Sequence, residues 1–165
     1  MHTSILLAAL ISISANTKPN AKSNTKPDTT LCINAANFLR DDRHLVAAVD
    51  ADIIDDWRTA KKTEGCRITA AGGSMQTVQK EAVLLYDRLR SLGWTRTPDP
   101  RDAPTEGSLR FRRENADCLF NVNASAMLNT DSEQRVNDAL RLSAGETRYQ
   151  VFVMCVPAAA AKSRE

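Results

Sequence analysis

The chain has 165 residues, with 22 Lys and Arg against 20 Asp and Glu, and a formal net charge of +2. Apolar residues make up 42% and charged residues 25%, ordinary globular proportions that exclude wholesale disorder, a coiled coil and a polytopic membrane protein. The length suits one domain with an extension and is too short for two full domains.

Residues 5–14 (ILLAALISIS) form an apolar run too short to span a bilayer as a helix. The small residues Ser12, Ser14 and Ala15 close it with a plausible cleavage site, so residues 1–15 read as a secretory signal peptide, although residues 1–4 hold no Lys or Arg. Residues 16–30 repeat the tetrapeptide Asn-Thr-Lys-Pro and contain no large apolar side chain. Such a segment buries too little to offset its ordering entropy and reads as a flexible linker. Lys18, Lys22 and Lys26 against Asp28 account for the whole net charge, so residues 31–165 are balanced. A balanced folded part is a poor binder of polyanions, which excludes nucleic acid as the main partner.

From residue 31 the pattern predicts a single α+β domain ending at residue 157. Residues 34–61 read as one broken helix or two short ones, with Leu39, Val46, Val49, Ile53 and Trp57 on one face. Residues 66–71 (CRITAA) read as a short strand entering Gly72-Gly73. The clearest element is a helix over 75–92, where Met75, Val78, Ala82, Leu85, Leu89 and Leu92 step by three and four. Ser74 stands where an N-cap belongs and Gly93 where a C′ glycine belongs, with Trp94 placed to fold back on the last turn. Pro98, Pro100, Pro104 and Gly107 mark a loop. Residues 108–124 read as a hairpin turning at ENAD (114–117), with Leu109 and Phe111 on one arm and Cys118, Phe120 and Val122 on the other. Residues 132–142 predict a short polar helix or an excursion. Residues 149–156 (YQVFVMCV) are apolar on both faces and predict a central strand, ended by Pro157 and followed by a loose tail, 158–165. The expected architecture is a small antiparallel sheet of three to four strands with helices packed on one face.

Four cysteines, Cys32, Cys66, Cys118 and Cys155, all fall in the folded part, and no two have a C-x-x-C spacing. In an exported protein two disulfides are the simplest outcome, with three connectivities open. Cys32–Cys66 and Cys118–Cys155 are favoured because each pair flanks one structural half. A zinc site would need all four thiols to converge from afar, and signal cleavage leaves His44 as the one histidine. No metal or cofactor is expected.

Three clusters stand out for chemistry. Asp41, Asp42, Asp50, Asp52, Asp55 and Asp56 lack the glycine and glutamate of a calcium loop. They read as a solvated helix face, or alternatively as the carboxylates of a small exported hydrolase. Gly72, Gly73 and Ser74 at a predicted helix start make a candidate anion site, but lack a phosphate-loop lysine. Between residues 88 and 113 seven arginines face three carboxylates, and Trp94 lies among them. Arginine and tryptophan are the types enriched at interfaces, so Arg110, Arg112, Arg113, Trp94 and Arg96 are the candidate binding residues. Asn123-Ala124-Ser125 fits the glycosylation pattern.

The resulting expectation is a secreted or periplasmic, disulfide-stabilised, non-enzymatic module of inhibitor, immunity or envelope-interaction type. Its expected partner is another protein in the envelope or outside the cell, with no membrane span after signal cleavage.

Overall fold

A computed structural model describes residues 29–97, 108–125 and 129–159. The predicted signal peptide, nearly all of the predicted linker, the proline-rich loop and residues 160–165 of the expected tail lie outside the described residues.

The folded part opens with a helical segment. A 3-10 turn (Thr30–Cys32) leads into α1 (Ile33–Asn37), which widens into a π-helical turn over Phe38–Asp42. The chain then reverses at His44, an exposed residue with φ of 55°. Here the structure departs from the helical reading of 34–61, because β1 runs from Val46 to Asp56. Val46, Val49, Ile53 and Ile54 are β-branched, and such side chains sit better on a pleated surface than on a helix. β2 (Lys61–Ser74) is also far longer than CRITAA and pairs antiparallel with β1 along all eleven of its residues. Lys61 and Lys62 stand opposite Asp56 and Asp55, so opposite charges extend the ladder past its apolar part.

Helix α2 (Val78–Ser91) follows the predicted periodicity closely. Ala82, Leu85, Tyr86 and Leu89 are buried, whereas Met75 precedes the helix and is 78% exposed. The N-cap is Thr77 rather than Ser74, and its side chain accepts a hydrogen bond from the Lys80 N–H at 3.3 Å. Thr77→Ala should lower unfolding stability by about 1 kcal/mol, read from the midpoint of a urea titration. Gly93, with φ of 83°, supplies the left-handed residue that ends the helix. Trp94 then folds back and donates its backbone N–H to the Leu89 carbonyl at 3.1 Å.

Past a two-residue strand β3 (Thr95–Arg96), the predicted hairpin forms from β4 (Ser108–Arg113) and β5 (Ala116–Asn123). Arg113 stands opposite Ala116, so the turn is the pair Glu114-Asn115, with Glu114 at φ of 53°. Helix α3 (Asp131–Ala139) and β6 (Thr147–Pro157) complete the domain. The strands make one six-stranded antiparallel sheet in the order β1-β2-β6-β5-β4-β3, larger than the expected three to four. β6 lies between β2 and β5, in the central position its sequence predicts.

Alternation divides the sheet into two faces. One carries Cys66, Ile68 and Ala70 of β2, Val151, Val153 and Cys155 of β6, Cys118 and Phe120 of β5, and Phe111 of β4. The N-terminal helical segment and α2 cover this face with Ala35, Phe38, Leu39, Leu85 and Leu89. The other face holds Asp50, Gln150 and Arg148, and α3 binds it through Ser132, Glu133 and Asn137. Helices therefore pack on both faces of the sheet, not on one. The disulfides are Cys32–Cys66 and Cys118–Cys155, the favoured pairing.

Candidate functional site

One edge of the sheet is its first strand. β1 is bonded to β2 on one side only, and its opposite side is an edge of the sheet. In an antiparallel pair each residue points both backbone groups to the same side, so alternate residues face outward. The Ala47 carbonyl faces outward and accepts from Arg40 at 3.0 Å, and the Ile53 N–H faces outward and is taken by the Asp52 carboxylate at 2.8 Å. Between these two capped points lie Val49 and Ala51, whose outward groups make no hydrogen bond among the described residues. The same odd-numbered positions carry the apolar side chains Ala47, Val49, Ala51 and Ile53, and Ile53 is 55% exposed. Trp57, just beyond the strand, is 41% exposed and stacks over the Arg110 guanidinium at 5.4 Å.

The even-numbered positions of β1 border a cleft of about 260 Å³. Asp50, Ala51 and Asp52 line one wall, Arg67 of β2 the floor, and Thr130, Asp131, Ser132 and Arg135 the α3 wall. Asp50 and Asp52 share a face because they are two apart on a strand. Neither stands alone: Arg67 bonds Asp52, while Ser132 bonds Asp50 and Arg135 approaches it at 3.5 Å. Side chains this open to solvent make ion pairs of small net worth, so the cleft can exchange them for other partners at little cost.

The other aspartates go elsewhere. Asp42 pairs with Arg88, Asp41 and Asp55 are exposed or nearly so, and Asp56 is buried against Arg58. The six carboxylates are thus dispersed along a turn and a strand rather than arrayed on a helix face.

The arginine–tryptophan cluster is divided by the sheet. Trp94 is buried in the core beside Phe120, with their ring centroids 5.7 Å apart. Arg113 turns toward the same side and donates to the Leu92 carbonyl, closing the end of α2. Arg110 and Arg112 project from the opposite face. Arg110 is only 3% exposed beneath Trp57, and Arg112 bonds Asp117 at 2.6 and 2.9 Å. Arg96 is exposed on β3.

Asp117 anchors a buried network on that face. It also accepts from Arg58 and from the Ala159 N–H, both at 3.0 Å, while Ala158 donates to the Asn115 carbonyl at 2.7 Å. The first two residues of the expected loose tail are therefore tied down. Burial pushes the Asp117 carboxyl up, but its hydrogen bonds from Arg112, Ala159 and Arg58 outweigh burial and hold it below its ordinary value.

Gly72, Gly73 and Ser74 lie in β2 and not at a helix start. A side chain at Gly72 would strike Leu45, and one at Gly73 would strike the Glu146 carboxylate. The Ser74 hydroxyl donates to Glu81, which is also bonded by Arg43 at 2.6 Å. Two carboxylates thus fill the surroundings intended for an anion, and the glycines serve close packing instead. Asn123 is exposed at the end of β5.

The edge of β1 is hidden in the sequence because Leu39, Val46, Val49, Ile53 and Trp57 also fit a helical period. Its signal is the apolar–acidic alternation from Val49 to Ile53 (VDADI). Comparisons with protein-family models, with curated proteins and with solved structures find no match.

Proposed function

We propose that this protein is an exported, non-enzymatic module that binds another protein by accepting one of its strands along the edge of β1. The supporting observation is the open edge itself: an eleven-residue strand without proline or lysine, presenting free Val49 and Ala51 backbone groups and apolar side chains. Natural sheets usually blunt such edges with prolines, lysines or bulges, and a strand left open is a template for main-chain pairing. The two disulfides support action in an oxidising compartment, the envelope or the exterior. Among the described residues no helix is long and apolar enough to cross a membrane.

A strand added to this edge would run past the mouth of the cleft. Residues placed opposite Asp50 and Asp52 would exchange with Arg135 and Arg67, which favours a partner strand carrying basic side chains there. The decisive variant is Val49→Pro, which removes an outward N–H and leaves the β1–β2 ladder whole. With the mature protein as bait in envelope or culture-fluid extract, wild type should retain a partner that the Val49→Pro bait loses, at unchanged circular dichroism. Equal recovery on both baits would place the interface elsewhere, and recovery of nothing by wild type would count against a binding module.

The second reading, a carboxylate-dependent hydrolase, draws on Asp50 and Asp52 lining one cleft. It is less well supported, since each is matched by an arginine rather than held in the apolar surroundings that keep a carboxylic acid protonated.

A further inference from the structure

The two disulfides are not independent staples. Cys66 and Cys155 are directly opposite each other on the paired strands β2 and β6, and Cys118 is opposite Cys155 on β5. Three adjacent strands thus carry a row of cysteines on one face, with Cys32 above it. The sulfurs of Cys32, Cys66 and Cys155 all lie within 4.8 Å of one another, although they belong to two different bonds. All four cysteines are fully buried. Antiparallel neighbours at Cys118 and Cys155, with Cα atoms 4.1 Å apart, already show that this sheet accepts a bond straight across two strands.

From this arrangement we infer that the protein is a redox-sensitive tether, in which opening either disulfide transfers the surviving bond to Cys66–Cys155. An external dithiol reduces Cys32–Cys66, is itself oxidised to a disulfide, and leaves two thiols on the protein. Cys66 loses its proton, and its thiolate attacks the sulfur of Cys155. The Cys66–Cys155 bond forms as the Cys118–Cys155 bond breaks, and Cys118 leaves as a thiolate that takes up a proton. This second step is an internal exchange with no net gain or loss of electrons. If the dithiol opens Cys118–Cys155 first, Cys155 attacks Cys66 and expels Cys32. Both routes end at the same two-electron-reduced state: Cys66–Cys155 bonded, Cys32 and Cys118 free.

The structural result follows from where each cysteine sits. β2 and β6 stay covalently joined at the centre of the sheet. Cys32, the disulfide anchor that holds the start of the N-terminal helical segment on the sheet, is released. Reduction by two electrons therefore frees a helical cover without dismantling the sheet beneath it. The attacking species is the thiolate, so the exchange accelerates as pH rises.

Limiting dithiothreitol added to the oxidised full-length protein, followed by acid quench, alkylation and peptide mapping, tests the inference. The dominant one-disulfide species should carry a Cys66–Cys155 crosslink with alkyl groups on Cys32 and Cys118. Alkylation of a native pair with the other native disulfide intact would overturn it, as would a Cys32–Cys155 crosslink. Direct passage from two disulfides to none would overturn it equally. The double variant Cys32→Ser with Cys118→Ser provides a second measurement. When it folds, as judged by circular dichroism, Cys66 and Cys155 should crosslink under mild oxidation, and two persistently free thiols would refute the exchange. Should the double variant not fold, mapping of the wild-type protein decides alone.

Discussion

Asp117→Asn is expected to lower unfolding stability by about 3 kcal/mol near neutral pH, the lower end for breaking a buried ion pair. The side chain of Asp117 is fully buried, and that of Arg58, its partner from the β1–β2 turn, is only 8% exposed. Removing the carboxylate takes one of its two buried carboxylate contacts from Arg58, on the sheet's second face. Arg112 is more open to water, so its share of the loss is screened. The same change frees the Ala159 N–H and loosens the chain after β6.

The effect should depend on pH with a definite sign. Asp117 and Asp56 are each pushed up by burial and pulled down further by their arginine hydrogen bonds, so both sit below their ordinary values in the folded protein. The unfolded chain then takes up protons first as the solution is acidified. Their stabilisation is complete well above the unfolded value of about 3.9 and drains away as pH falls through it toward the lower folded values. Urea titrations at neutral pH and in acid should show the gap between wild type and D117N narrowing. A gap unchanged by acid would assign the loss to something other than the ionised carboxylate.

Phe120→Ala should be comparably damaging, at about 4 kcal/mol. Phe120 is completely buried on β5 and meets three other rings edge to face: Trp94 at 5.7 Å, Phe111 at 6.1 Å and Phe38 at 6.3 Å between centroids. Those rings come from the end of α2, from β4 and from the N-terminal helical segment, so one side chain joins three elements. Its loss leaves a cavity that none of them can close alone. The near-ultraviolet circular dichroism of Trp94 should weaken along with the stability. An intact tryptophan band and a loss below about 2 kcal/mol would show that the cluster collapses around the gap.

The legible parts of this chain are those whose burial is simple. α2 has one wet and one dry face, so its period of three and four is visible. β6 is dry on both faces, and YQVFVMCV says so directly. The hairpin alternates because Phe111, Cys118 and Phe120 face the core while Arg110, Arg112, Asn121 and Asn123 do not. β1 defeats this logic because one of its faces mixes apolar and acidic side chains. Its even positions combine Val46 and Ile54 with Asp50, Asp52 and Asp56, whose partners are supplied by α3, β2 and the following turn. Aspartates look solvated until the arginines that meet them are known, and those lie far along the chain or on another strand. The division of the arginine–tryptophan cluster has the same origin. Arg110 and Arg113 are close in sequence, but on a strand an odd separation sends them to opposite faces.

The order of the strands has a consequence for when the domain can form. Two hairpins, β1–β2 and β4–β5, are local and need no later part of the chain. They share no ladder with each other until β6, the last strand of the sheet in sequence, slides between them. A chain synthesised from its N-terminus therefore lacks every pairing that joins the two halves of the sheet until Thr147 onward is clear. Cys32–Cys66 can be oxidised during that wait, whereas Cys118 must remain a thiol until Cys155 arrives. Closure is consequently late and all at once.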